Sequence, residues 1–173
     1  LTLPRREWVY GYDYIRKYIS VTASAGGIGK TSLINVEALA IATGKPLLGV
    51  AVKQQTNVWV INLEDPISEM QNDDMLAAMI RVVKQNNIGA IILDPFVSAH
   101  LVNENNNGSI QAVVAMLRKL ARDTNSSVQL VHHIRKGNGD DATIDSVRGA
   151  GSLIGAARAA RVINRITPDD AIA

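Results

Sequence analysis

Between residues 18 and 43 a β-branched run passes through a glycine-rich turn into a helical pattern, and few folds accommodate that succession. Tyr18-Ile19-Ser20-Val21-Thr22-Ala23 reads as a short strand. From Thr31 to about Thr43, Leu33, Val36, Leu39 and Ala40 recur at helical spacing. Gly44 is placed to end that helix and Pro46 to prevent its resumption. The turn itself, Ser24-Ala25-Gly26-Gly27-Ile28-Gly29-Lys30-Thr31, fits the frame G-x-x-x-x-G-K-[ST] with serine at the first glycine position.

Such a turn is a phosphate cradle. Glycines let backbone N–H groups converge on phosphate oxygens, and the helix N-terminus adds the positive end of its dipole. The stretch from Ser24 to Ser32 is therefore the expected ATP-binding segment, comprising Ser24, Ala25, Gly26, Gly27, Ile28, Gly29, Lys30, Thr31 and Ser32. Lys30 is expected to reach the β- and γ-phosphates, and the Thr31 hydroxyl to ligate Mg2+. An exposed lysine after a plain turn is the bland alternative; the position between strand and helix argues against it. The partitioning ATPases ParA and MinD carry a second lysine where Ala25 stands, which disfavours that family.

Downstream the pattern keeps alternating. Strands are expected at 57–63, 90–93, 128–131 and 161–164, and helices at about 74–85, 110–123 and 152–160. The segment 57–63 is apolar enough to be buried on both faces. The expected fold is α/β: a RecA-like P-loop NTPase, a mainly parallel sheet with helices on both faces, in a single domain over residues 1–173. In such sheets ligands bind beyond the carboxyl ends of the strands, and the conspicuous polar residues all fall there. With no cysteine, disulfides and cysteine-held zinc are excluded, and a net charge of +2 does not by itself indicate nucleic acid. No apolar run reaches the roughly 18–20 residues that span a bilayer, so a cytoplasmic protein is the default expectation.

Ile91-Ile92-Leu93-Asp94 has the form of a Walker B strand, which delivers one carboxylate to the magnesium shell. Pro95 follows, where many ATPases place a catalytic glutamate, and proline cannot activate water. The base is then expected from Glu64, at the end of the preceding strand, with Asp65 beside it serving the metal shell or a hydrogen bond.

The order of motifs resembles the RecA-like ATPases, and within them the RepA-type hexameric helicases. The resemblance rests on residues 25–31, Leu63-Glu64-Asp65-Pro66, Leu93-Asp94, Val131-His132-His133-Ile134-Arg135-Lys136-Gly137 and Arg148-Gly149-Ala150-Gly151-Ser152. It implies Glu64 as catalytic glutamate and Asp94 as the magnesium-associated aspartate. It also implies a γ-phosphate sensor at the His132-His133 pair, and His132 is preferred. Arg158 matches an arginine finger acting on a neighbouring subunit's nucleotide, with Arg148 as the other candidate. Arg135 and Lys136 flank a loop, 137–147, that in such proteins faces the central channel, although Asp140, Asp141 and Asp145 make it acidic. The implied partners are single-stranded DNA and further copies of the chain in a ring or hexamer. Between Glu64 and Asp94 the chain is shorter than these relatives, which suggests residues missing near 70–72; a C-terminal continuation is expected as well.

Two other classes remain open at this point: a nucleotide-binding regulatory or assembly ATPase, and a P-loop small-molecule kinase, which lacks support from any arginine-rich lid. Trp8, Tyr10, Tyr12 and Tyr14 are expected to pack the N-terminal segment across the sheet rather than to stack on bases.

Overall fold

The computed structural model describes residues 5–62, 73–96, 107–134, 142–143 and 151–166. An N-terminal hairpin, β1 (Trp8–Tyr10) and β2 (Tyr14–Ile15), precedes β3 (Ile19–Ala25) and α1 (Lys30–Thr43). Then come β4 (Asn57–Asn62), α2 (Asp73–Gln85), β5 (Ile88–Asp94), α3 (Asn107–Thr124), β6 (Ser127–Ile134), α4 (Gly151–Ala156) and β7 (Ala159–Ile163). Among the described residues the main sheet has five strands in the order β4-β5-β6-β3-β7, and every pairing in it is parallel. This is the expected doubly covered α/β fold.

Alternation along the strands sorts side chains between two layers. Ile19, Val21 and Ala23 of β3, with Ile91 and Leu93 of β5 and Val128 and Leu130 of β6, face α2, α3 and α4. They bury against Leu76, Met79 and Val83, against Val113, Leu117 and Leu120, and against Leu153. Helix α2 carries Asp73 and Asp74 in its first turn and Lys84 in its last, complementing its dipole. On the other layer Ala90, Ile92 and Val131 meet Ile34, Ala38 and Ile41 of α1, together with Val9, Tyr10 and Tyr14 of the hairpin.

Three details depart from the sequence-based expectation. First, 57–62 is not buried on both faces: β4 is an edge strand among the described residues, and Val60 is 42% exposed. Its apolar run reflects its place beside β5, with which it pairs from Asn57 to Asn62. Second, the helix expected over 152–160 ends at Ala156, and Ala159 and Ala160 already belong to β7. The alanine-rich composition favours helix, but pairing with Ser20–Ser24 of β3 and the bond from the Arg158 N–H to the Ile19 carbonyl (2.8 Å) override it. Third, the N-terminal aromatics pack on the sheet as expected, but from a hairpin of their own. Tyr10 and Tyr14 are fully buried and Tyr12 is 72% exposed, so packing claims two of the three tyrosines.

Candidate functional site

The glycine turn leaves β3 at the carboxyl edge of the sheet and enters α1. Gly27 and Gly29 have φ of +78° and +81°, a region that side chains disfavour, and a Cβ at Gly26, Gly27 or Gly29 would meet only open space. Gly29 is the N-cap of α1 and supplies no side-chain cap, so the first amides of the helix are left to a ligand or solvent. An open, glycine-lined concavity at an uncapped helix N-terminus is what a polyphosphate requires.

Lys30 is 4% exposed, unusual for a lysine. Its ammonium donates to Ser24 Oγ at 3.0 Å and lies 3.2 Å from His133 Nδ1. An ammonium has no lone pair to offer, so with Lys30 charged Nδ1 is the acceptor. Burial pushes the Lys30 ammonium below its ordinary range, and the Asp94 carboxylate partly restores it. Serine at the first position of the cradle thus has a definite role, which is to hold the lysine.

Beside the lysine lies a cavity of about 300 Å³, lined by Thr31 and Asn35 of α1, Val60 and Asn62 of β4, Asp94 at the end of β5 and Pro95 after it, and His133 of β6. Thr31 and Asp94, the two expected magnesium groups, share this cavity although 63 positions separate them in sequence. Among the described residues no group of three or more His, Asp or Glu side chains is disposed to hold a metal unaided. One hydroxyl and one carboxylate on the cavity wall, with room for phosphate and water oxygens, would suit Mg2+.

The two histidines separate cleanly. In the β3–β6 register His132 lies opposite Ala23 and His133 opposite Ser24, so they point into different layers. His132 is 5% exposed and shares its layer with the apolar core, whereas His133 reaches Lys30. By this alternation His133, and not the preferred His132, is the histidine in contact with Lys30 at the cradle. Asn35 and Asn62 also line the cavity, and no motif in the chain singles them out. Asn35 stands one turn after Thr31, and that i, i+4 spacing is the signal that points to it.

Arg158 sits at the other end of the sheet. Its backbone bonds to Ile19, the first residue of β3, and its guanidinium lies 5.2 Å from the Tyr18 ring centroid. From Ile19 to Ala25 the strand covers about 20 Å. Arg158 is therefore far from the cradle of its own chain. Glu64, Asp65, Arg135, Lys136 and Arg148 lie outside the described residues, as do positions 70–72. No helix among the described residues is long and apolar enough to cross a membrane.

The AAA domain family matches residues 2–73 and 70–139 of the chain, in two stretches that meet at 70–73. No curated protein matches. Among solved structures, one described as a DnaB-like replicative helicase and its interactions with primase superposes with a TM-score of 0.60 at 15% identity. The match covers 90% of this chain and 49% of that one, so the chain spans about half the length of that helicase. At this identity the likeness is one of fold: a RecA-like α/β domain.

Proposed function

This chain belongs to the AAA domain family, and on that premise we propose that it binds ATP with Mg2+ at residues 24–32 and hydrolyses it, as one protomer of a ring-forming, helicase-like ATPase acting on single-stranded DNA. The observation that carries the reading is the convergence of Thr31, Asp94 and His133 from α1, β5 and β6 on one cavity at the carboxyl edge of the sheet, with Lys30 in contact with His133. Lys30 engages the β- and γ-phosphates, and Thr31 and Asp94 hold the metal, whose contribution is neutralisation of phosphate charge. Glu64 follows β4, two positions beyond Asn62, and is the base that orients and deprotonates the attacking water. His133, rather than His132, registers the terminal phosphate through its contact with Lys30.

Arg158 acts in trans, stabilising charge on a neighbour's nucleotide; Arg148 is the alternative finger. Arg135 and Lys136 contact the DNA backbone. The break in the family match at 70–73 supports the reading that the chain lacks residues there.

Phosphate release by wild type, Lys30→Ala and Glu64→Gln, with and without single-stranded DNA, tests the activity. Turnover that DNA stimulates and that both substitutions abolish is the expected result. Turnover indifferent to DNA would leave a regulatory or assembly ATPase, and phosphate passed to a metabolite would make it a kinase. Particle size with and without a non-hydrolysable ATP analogue tests the ring; a strict monomer in both states would remove Arg158 from the mechanism.

A further inference from the structure

A second set of charged groups lies inside the fold, away from the cradle. Glu37 of α1 is 2% exposed, and Arg161 of β7 grips both of its carboxylate oxygens, at 2.7 and 2.6 Å. The Tyr14 hydroxyl of the hairpin donates to the same carboxylate at 3.0 Å. Arg161 also donates from Nε to Thr22 Oγ1 of β3 at 2.8 Å and from Nη1 to Asp13 at 3.2 Å. Thr22 Oγ1 in turn accepts from Gln129 of β6 at 2.6 Å. One helix, three strands of the main sheet and the hairpin thus meet at a single ion pair.

Burial alone would lower the Arg161 guanidinium, but its hydrogen bonds to Glu37 and the charges of Glu37 and Asp13 raise it above its ordinary range. Burial, and then the Glu37 carboxylate, push the Tyr14 hydroxyl well above its ordinary value. Arg161 is therefore held as a guanidinium and Tyr14 as a neutral hydroxyl.

A buried ion pair is a poor source of stability, since desolvation offsets its attraction and well-packed apolar residues often do as well. Its distinctive property is direction. A bidentate guanidinium–carboxylate contact fixes distance and orientation at once, whereas apolar packing tolerates sliding and rotation. Glu37 lies seven residues after Lys30, two helical turns or about 10 Å along the same face of α1. The helix is thus pinned at both points: at Lys30 to Ser24 and His133, and at Glu37 to β7.

We infer that Glu37 and Arg161 are positioning residues for the nucleotide site: they fix the rotation and axial register of α1 on the sheet, and so the placement of Lys30 and Thr31 against Asp94. The inference rests on the ATP-binding reading for its consequence, but the restraint on α1 is a property of the chain without ligand.

The test compares wild type with Glu37→Gln, Arg161→Lys and the apolar double variant Glu37→Leu/Arg161→Met. Three readouts are taken: thermal midpoint, hydrogen exchange of the amides at 26–31, and affinity for a fluorescent ATP analogue. The double variant is expected to melt within about 5 °C of wild type, with faster exchange at 26–31 and affinity weaker by on the order of tenfold. Arg161→Lys keeps the charge without the fork and is expected to fall between it and wild type. A folded double variant with wild-type exchange and affinity would overturn the proposal. Should the double variant not fold, Glu37→Gln decides: unchanged exchange at 26–31 overturns the proposal and faster exchange sustains it. Failure of wild type to bind the analogue would sink the ATPase reading while leaving the exchange comparison in force.

Discussion

The two faces of the central sheet are built on different principles. Toward α2, α3 and α4 the strands present Ile, Val, Leu and Ala, with His132 buried among them. Toward α1 the same strands present Thr22, Ser24 and Gln129 beside Ile92 and Val131, and the helix answers with Lys30 and Glu37. Apolar burial supplies most of the favourable free energy of folding, in proportion to area and without preferred direction. Hydrogen bonds and ion pairs add little net stability but dictate where atoms sit. The nucleotide cradle hangs from the face where position is dictated.

The sharpest break of that comparison is Leu117→Ala, in the centre of the apolar layer, where Leu117 is fully buried. It is expected to cost about 2–5 kcal/mol in denaturant unfolding while leaving the nucleotide affinity of the folded fraction unchanged. A large loss of affinity there would mean that the two faces are not separable. Next in size, Lys30→Ala is expected to reduce turnover by about 10²-fold or more with little change in unfolding, as measured by phosphate release. Thr22→Val is nearly isosteric but leaves the Gln129 amide and the Arg161 Nε without their shared acceptor. It is expected to cost about 1–3 kcal/mol, and, unlike Leu117→Ala, to weaken nucleotide binding as well.

The smallest effect concerns protons. Lys30 has a folded pKa below its ordinary 10.5, so between those two values the unfolded chain holds more protons. Stability contributed by this group therefore rises with pH through that window. Phosphate oxygens favour the ammonium, so nucleotide binding in the same window is expected to take up protons. Calorimetry in two alkaline buffers of different ionisation enthalpy checks this; identical heats would contradict it.

Much of this is legible in the chain because its signals are local. The cradle is contiguous, and Asp94 ends an apolar run that declares itself a strand. What is not legible depends on who lies beside whom. The alanine-rich 156–160 prefers helix until β3 offers it a ladder, and β4 looks central until the strand order places it at the edge. The choice between His132 and His133 requires the phase of β6 against β3, since a one-residue shift would exchange their layers. Glu37 and Arg161 are 124 positions apart, and neither carries a motif that announces the other.

The resting contacts of Lys30 have a bearing on selectivity. Two of its three N–H groups are engaged, by Ser24 and by His133, so a ligand that draws on more than one of them displaces a contact already in place. A group that presents several acceptor oxygens at once can replace both contacts together, and Ser24, at the first glycine position of the cradle, supplies one of them.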